Sequence, residues 1–243
     1  MRLTTAAAAA ALLAGCAAAP PLSDVTGTDA LLLGEQHDAP SQPPLQERWV
    51  ATLAARGTLA ALALEMAERG TSTAGLPPHA GEAQVRQALH WDAAGWPWTR
   101  YRPAILAAVR AGVPVVGANL PRAQLKEAMG DRSLDALLPG PALKAQQQAV
   151  RQGHCGLLPE SQIGPMTRVQ LARDRAMAQT IASLLAPGRT VVLLAGAGHV
   201  EPDVGVPRYL PPSVRVRSVV LPPEDTGKDY CAELRRQLPP KGH

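Results

Sequence analysis

The sequence predicts an α/β fold: a mostly parallel sheet flanked by helices, with a smaller helical subdomain inserted in it. Three observations carry this. Short apolar runs recur along the chain, and each stops at a glycine or a single polar residue. Segments with helical spacing of apolar residues lie between them, and strands separated by helices pair in parallel with both faces covered. Apolar residues make up 46% of the 243-residue chain, which supports a real core. With no Phe, four Trp and three Tyr, that core has to be aliphatic.

The elements follow in order. Ala30 to Leu33 is a short apolar run ending in Gly34. Residues 44–56 carry Leu45, Trp49 and Leu53 at helical spacing and stop at Gly57. Residues 59–64 are apolar up to Glu65. Their Ala, Leu and Met content favours helix, but their place in the alternation favours a buried strand, which is the reading adopted. Residues 101–111 read as helix, residues 113–117 as strand with Pro114 near its start. Residues 164–186 read as one long helix, ended by Pro187-Gly188. Thr190 to Ala195 is the clearest buried strand, and residues 214–221 begin with the alternation of an edge strand. The stretch 120–163, rich in Pro and Gly, fits the rhythm poorly and is the candidate helical subdomain.

The amino terminus reads as an export signal. Arg2 supplies a positive start, residues 6–14 are nearly all Ala and Leu, and Leu13-Ala14-Gly15-Cys16 follows. Small residues before a cysteine at the cleavage position form a lipobox. Residues 1–15 are thus expected to be removed and Cys16 to take the lipid, with residues 16–28 as a tether and 29–243 as the α/β domain. The apolar run is too short to remain as a spanning helix. The destination expected is the bacterial cell envelope, anchored to membrane by lipid. Ala17 offers no inner-membrane retention acid, which favours the outer membrane, facing the periplasm. Two further cysteines, Cys155 and Cys231, suggest one disulfide in such an oxidising compartment.

The net charge of +4 is spread without a basic run or interleaved aromatics, so no nucleic-acid partner is inferred. There is no P-loop, no Gly-x-Ser-x-Gly elbow and no Cys-x-x-Cys pair.

The main chemical signal occurs twice. Leu31-Leu32-Leu33 runs into Gly34-Glu35-Gln36-His37, and Val191 to Ala195 runs into Gly196-Ala197-Gly198-His199. Each is an apolar strand followed by Gly-x-x-His, where glycine lets the chain turn sharply off the strand. In an open parallel sheet, ligands bind beyond the carboxyl ends of the strands, so two such turns would aim two imidazoles into one crevice. Two unrelated loop histidines are the plainer alternative. Glu65 and Asn119 end the next two strands. Two His with Glu35, Glu65 and Asn119 suit a divalent metal or acid–base chemistry, although Glu65 alone would read as a helix-surface glutamate.

Two other groups stand out. Trp91, Trp96, Trp98 and Tyr101 crowd one segment together with Arg100 and Arg102. That composition suits a ligand pocket or, equally, a small satellite core under a loop. On the long helix, Met166, Gln170, Asp174, Met177, Ile181 and Leu184 share one stripe. If that stripe is buried, Asp174 needs a partner, either Arg173 or a site histidine; a slightly rotated helix would leave it at a rim.

Taken in order, LLLGEQHD, LALEM, WPWTRYRP, VVGANLPR, HCGLLPESQ, QLARDRAMA and LLAGAGHV resemble the ChaN-like haem-binding lipoproteins. These belong to a wider superfamily with the Tiki proteases and the erythromycin esterases. The resemblance spans nearly all of the mature chain. It implies haem binding for iron uptake, as a lipoprotein and as a homodimer. Tyrosine ligation of iron, as in that family, falls on Tyr101, the one tyrosine within a matching motif. Trp98, Arg100, His37, His199, Asn119 and Asp174 would complete the haem pocket. The alternative implied by the superfamily is a hydrolase in which Glu35, His37, Glu65 and His199 act, with or without a divalent metal.

Overall fold

The computed structural model describes residues 27–237. The expected signal sequence, Cys16 and nearly all of the expected tether lie outside the described residues. Five strands, β1 (Ala30–Glu35), β2 (Leu59–Glu68), β3 (Val115–Asn119), β4 (Thr190–Gly196) and β5 (Val216–Val220), form one sheet in the order β3-β2-β4-β1-β5. Every pairing among them is parallel. The helices are α1 (Gln42–Ala55), α2 (Glu82–Ala88), α3 (Trp98–Arg110), α4 (Leu125–Gly130), α5 (Gly140–Gly153), α6 (Glu160–Leu184) and α7 (Tyr230–Gln237).

Period-two alternation divides the core. Leu31, Leu33, Leu62 and Leu64 face α1 and α3, where Trp49, Leu53, Tyr101 and Ile105 meet them. Ala30, Leu32, Ala63 and Leu193 face the opposite way, onto Met177 and Ile181 of α6 and onto Val200, Val206 and Leu210. Both faces being covered explains why the strands read as continuous apolar runs. It also explains why β2 is a strand despite its Ala, Leu and Met. The segment lies between β3 and β4, and burial on two faces outweighs a propensity difference of tenths of a kcal/mol per residue.

Boundaries moved at several elements, β2 among them, which runs on to Glu68. The third strand starts at Val115 rather than 113, so Gly117 sits inside it and Asn119 is its last residue. Gly117 is needed where β2 shifts register against β3, because a Cβ there would run into the Glu68 carbonyl and the Thr71 hydroxyl. Helices α3 and α6 start earlier than expected, at Trp98 and Glu160, and each tolerates a proline, Pro103 and Pro165. Helix α7 was not foreseen.

Between β3 and α6 the chain makes α4, a 3-10 turn Arg132–Leu137, and α5. Ala128, Leu134 and Leu138 from this stretch pack on Leu171 and Ala172 of α6, and Arg168 of α6 donates to both carboxylate oxygens of Asp135, at 2.9 and 2.8 Å. A disulfide joins Cys155, after α5, to Cys231 of α7, with Cα atoms 5.6 Å apart.

Connections from β1 and β4 leave on opposite faces. The chain after β1 crosses through α1 toward β2, while the chain after β4 crosses on the α6 face toward β5. Adjacent strands whose connections diverge open a crevice at their carboxyl ends. That is where both Gly-x-x-His turns lie.

Candidate functional site

Glu35 shares its face of β1 with Leu31 and Leu33, so it points toward α1 and α3. It is 2% exposed and fully engaged. Tyr101 Oη donates to its Oε1 at 2.7 Å, the Gln46 amide donates to Oε2, and the Arg100 guanidinium stands 3.8 Å from Oε2. His37 Nδ1 meets Oε1 at 2.8 Å. Glu65 is on the other face, inside β2 rather than at its end as expected, since the strand continues to Glu68, and is equally buried. Its Oε2 accepts the Gly196 N–H at 2.7 Å and lies 3.8 Å from His37 Nε2. Its Oε1 lies 3.4 Å from His199 Nε2. His199 Nδ1 closes the chain on Asp174 Oδ1 at 2.6 Å. One carboxylate thus sits between two imidazoles, and each imidazole is backed by a second carboxylate.

The electrostatics follow from that alternation. Burial opposes charge on His199, but Glu65 and Asp174 outweigh it and hold the imidazolium up to about 10. Burial alone would raise Glu65; His199, His37 and the Gly196 N–H instead hold it well below the usual carboxylate range. Asp174 goes the other way, lifted by burial to about 6 against the pull of His199. His37 is raised from its ordinary value, with burial opposing and the two glutamates prevailing. Its side chain is 40% exposed, so it is the member of the cluster that solvent or ligand can reach.

The glycines serve this packing by close approach rather than by unusual backbone angles. Gly196 has φ −58°, a value any residue adopts, but a Cβ on it would lie 2.9 Å from His37 Nε2 and 3.5 Å from Glu65 Oε2. A Cβ on Gly34 would meet Val200 and come within 3.0 Å of Ala197 Cα. The chain leaves β4 at Gly196 directly into a 3-10 turn, Ala197–Val200, and a side chain on either glycine would clash there.

Two clefts open on the cluster. One, of about 580 Å³, is lined by His37, His199, Ala197, Val150, His154, Val204 and Tyr230 among others. The other, of about 510 Å³, lies on the far side of Glu65, toward β2 and β3. Trp96 lines this second cleft and sets its ring edge-on to His37, centroids 4.8 Å apart.

The structure brings together Glu35, His37, Glu65, His199 and Asp174. Asn119 joins them by donating to the Glu65 carbonyl at 2.8 Å. The aromatic segment is placed differently from the expected haem pocket. Tyr101 is 0% exposed, and burial followed by Glu35 pushes its phenol far up; an iron ligand needs an accessible phenolate, so Tyr101 is corrected to a support for Glu35. Trp98 donates to Glu82 at 2.9 Å and packs on Trp91. Arg100 donates to the carbonyls of Ala39 and Gln36, at 2.9 and 2.8 Å, and holds the 35–39 turn rather than a ligand. The metal reading is corrected too. Among the described residues no group of three or more His, Cys, Asp and Glu could hold a metal ion; the carboxylates face imidazole nitrogens instead.

Sequence reasoning missed Gln42 and Gln46, both 1% exposed. Gln42 accepts the Gln36 N–H at 2.9 Å and donates to the Pro222 carbonyl at 2.9 Å. The signal was present: both lie on the α1 stripe that carries Trp49 and Leu53, and buried amides at such positions need partners. Tyr230 was also missed. Its hydroxyl reaches Asp38 at 3.0 and 2.9 Å, and no local pattern announces a residue brought in by a disulfide.

The profile of the family described as "Haem-binding uptake, Tiki superfamily, ChaN" matches residues 22–210. Among solved structures, ChaN of Campylobacter jejuni, described as showing cofacial haem binding, is similar in fold: TM-score 0.66 and 21% identity over 84% of this chain and 85% of that one. The type III effector HopBA1 aligns with a TM-score of 0.44 and 19% identity, over 79% of this chain and 75% of that one. None of the curated proteins matches the chain.

Proposed function

The chain belongs to the haem-binding uptake family of ChaN, in the Tiki superfamily, and from that premise we propose that it binds haem in the cleft of about 580 Å³ beyond β1 and β4. The observation that carries the reading is His154. Its Nδ1 lies 2.8 Å from the Val150 carbonyl; a carbonyl only accepts, so Nδ1 carries the proton and Nε2 is the ring nitrogen left to offer a lone pair to a metal. Metal-binding histidines adopt this arrangement. Tyr230 lines the same cleft, and the Cys155–Cys231 bond joins the residues next to these two donors. Ala149, Val150, Ala197 and Val204 offer apolar wall, and the volume falls within the roughly 300–1,000 Å³ of cofactor pockets. Haem would supply the iron; the protein's part is to enclose the ring and offer a nitrogen or phenolate.

The test is a haemin titration of the mature chain, followed at the Soret band. Saturable binding that His154→Ala weakens about tenfold or more, with a changed spectrum, supports the reading. No saturable band in the unaltered protein sinks it.

Export and lipidation at Cys16, with the domain facing the periplasm from the outer membrane, complete the proposal; the lipobox supports them. A second reading, acid–base hydrolysis, is favoured by the Asp174–His199–Glu65 alignment. The charges weigh against it. At neutral pH His199 is held protonated and Glu65 ionised well below its usual range, which makes one a poor base and the other a poorer one. Hydrolysis of a nitrophenyl ester that is lost in His199→Gln would restore it.

A further inference from the structure

The two ends of the sheet differ in charge. Five segments lead into the strands at the amino end: residues 27–29, 55–58, 110–114, 185–189 and 211–215. They hold four arginines, Arg56, Arg110, Arg189 and Arg215, all exposed, and one carboxylate, Asp29. Asp29 is taken up by Arg215, whose Nε and Nη2 donate to its two oxygens at 3.0 and 2.7 Å. Arg56, Arg110 and Arg189 make no side-chain hydrogen bond or ion pair among the described residues. The carboxyl end is acidic by contrast. In the segments that follow β4 and β5 there, Glu201, Asp203, Asp225 and Asp229 are exposed.

Part of this basic character serves the helices. Arg56 and Arg110 stand at the carboxyl-terminal ends of α1 and α3, where a cation offsets the helix dipole. Arg189 has no such role, since it follows the Pro187-Gly188 turn beyond the end of α6. Arg56, Arg189 and Arg215 line one cleft of about 230 Å³ together with Gly27 and Thr58. The cleft is smaller than the roughly 300–1,000 Å³ of cofactor pockets, and guanidinium groups around so small a space suit a single phosphate group. Gly27 also begins the described chain, so the chain toward Cys16 leads off from this end. Cys16 is 11 positions earlier, a reach of at most about 40 Å. A tether of that length limits distance and not orientation. Charge then decides which end meets a surface.

We propose that the amino end of the sheet docks on an anionic membrane surface, with Arg56, Arg110 and Arg189 against lipid phosphates and the small cleft taking one of them. The cleft lined by His37 and His199, at the carboxyl ends of the strands, then opens away from the membrane. Lipid phosphate is the anion that a lipid on Cys16 would hold close, so the choice of partner rests on the lipidation proposed above. Haem binding plays no part in it.

The mature chain, residues 17–243 without lipid, is sedimented at low ionic strength with vesicles of phosphatidylcholine, either alone or mixed equally with phosphatidylglycerol. The protein carries no acyl chain in this assay, so the result does not depend on whether Cys16 is acylated. Expected is binding to the mixed vesicles that weakens as salt is added, and little binding to phosphatidylcholine alone. Each basic residue near an anionic surface contributes about fivefold. Arg56→Gln, Arg110→Gln and Arg189→Gln combined should therefore lower the affinity on the order of a hundredfold, while the same three positions changed to Lys should bind as the parent does. Lys126→Gln, Arg132→Gln and Lys144→Gln combined remove as much charge from exposed positions between β3 and α6 and should weaken binding far less. If the first triple variant does not fold, Arg189→Gln alone should still weaken binding about fivefold. The proposal is overturned if mixed vesicles hold no more protein than phosphatidylcholine alone. It is also overturned if the two triple Gln variants lose affinity equally, which would mean that net charge and not this face meets the membrane.

Discussion

His199 and Asp174 face each other at 2.6 Å, Nδ1 to Oδ1, in a part of the molecule where Asp174 is fully buried and His199 nearly so. The pair joins the end of β4 to α6, so a charge change at one is felt by the other. Asp174→Asn removes one of the two carboxylates that hold His199 up to about 10. In the unaltered protein the His199 ring should stay protonated through pH 8. In Asp174→Asn its titration should move down by a unit or more, toward the ordinary histidine range. Imidazole resonances followed by NMR from pH 5 to 11 would show this; an unchanged midpoint would mean that Glu65 alone sets the charge.

The same shift fixes a pH window for stability. The folded value of His199, about 10, lies above its ordinary 6.5. A raised value stabilises fully below the unfolded pKa, and the contribution is lost as pH rises through the folded one. Asp174, raised from 3.8 to about 6, acts with the same sign at lower pH. Glu65 is lowered, so its contribution is present above its ordinary 4.5 and is lost on acidification. Urea midpoints should therefore decline between pH 6.5 and 10, and in Asp174→Asn the decline should start at the same pH but end at a lower one. A flat profile across that range in both proteins would contradict the charge assignment.

Tyr101→Phe separates support from ligation. The Tyr101 hydroxyl donates to buried Glu35, and hydrogen bonds to charged groups contribute about 1.5–3 kcal/mol. The variant should lose stability of that order in denaturant melts, and haemin binding should keep its stoichiometry and spectrum. Loss of a phenolate-to-iron charge-transfer band in Tyr101→Phe would return the ligand role to this residue.

Much of this arrangement was legible in the sequence because it depends on short-range pattern. The alternation of apolar runs and helical segments gave the parallel sheet, and two strands ending in Gly-x-x-His, with Asp174 on the buried stripe of α6, pointed to convergence. What could not be read depended on depth. Tyr101 lies in a motif dense with Trp and Arg, and that composition suits a pocket lining and a core alike; only the placement of α3 against Glu35 decides between them. Arg100 looked like a ligand arginine because sequence does not show that the carbonyls of Gln36 and Ala39 lie within its reach. Tyr230 and His154 are brought to one cleft by residues 76 apart in sequence, a long-range closure without local signature.

Replacing Cys16 with Ser tests the anchor. The lipobox at residues 13–16 predicts that the unaltered protein fractionates with membranes and labels with fatty acid, because several acyl chains anchor firmly at about 0.8 kcal/mol per buried CH₂. Cys16→Ser should appear in the soluble fraction or accumulate as precursor. Membrane fractionation and processing unchanged from the parent would rule out lipidation at this position.

The Cys155–Cys231 bond should matter to both stability and binding. It closes a segment with a sequence separation of 76, for which the chain-entropy model gives roughly 4–5 kcal/mol. Helix α7 has no buried residue among its eight, so the bond and the Tyr230–Asp38 contacts are its main attachments. Asp38 is held down to about 2, its burial outweighed by hydrogen bonds from Lys228 and Tyr230. The covalent link therefore fixes one wall of the cleft proposed for haem. In a Cys155→Ser, Cys231→Ser double variant the loss of stability should fall below the chain-entropy figure, because α7 can detach while the sheet stays folded. Haem affinity should fall further than stability would suggest, since His154 and Tyr230 are no longer held next to each other. Hydrogen exchange should show residues 222–237 losing protection first. If protection there is retained and haemin binds as before, the Asp38 contacts alone position this wall.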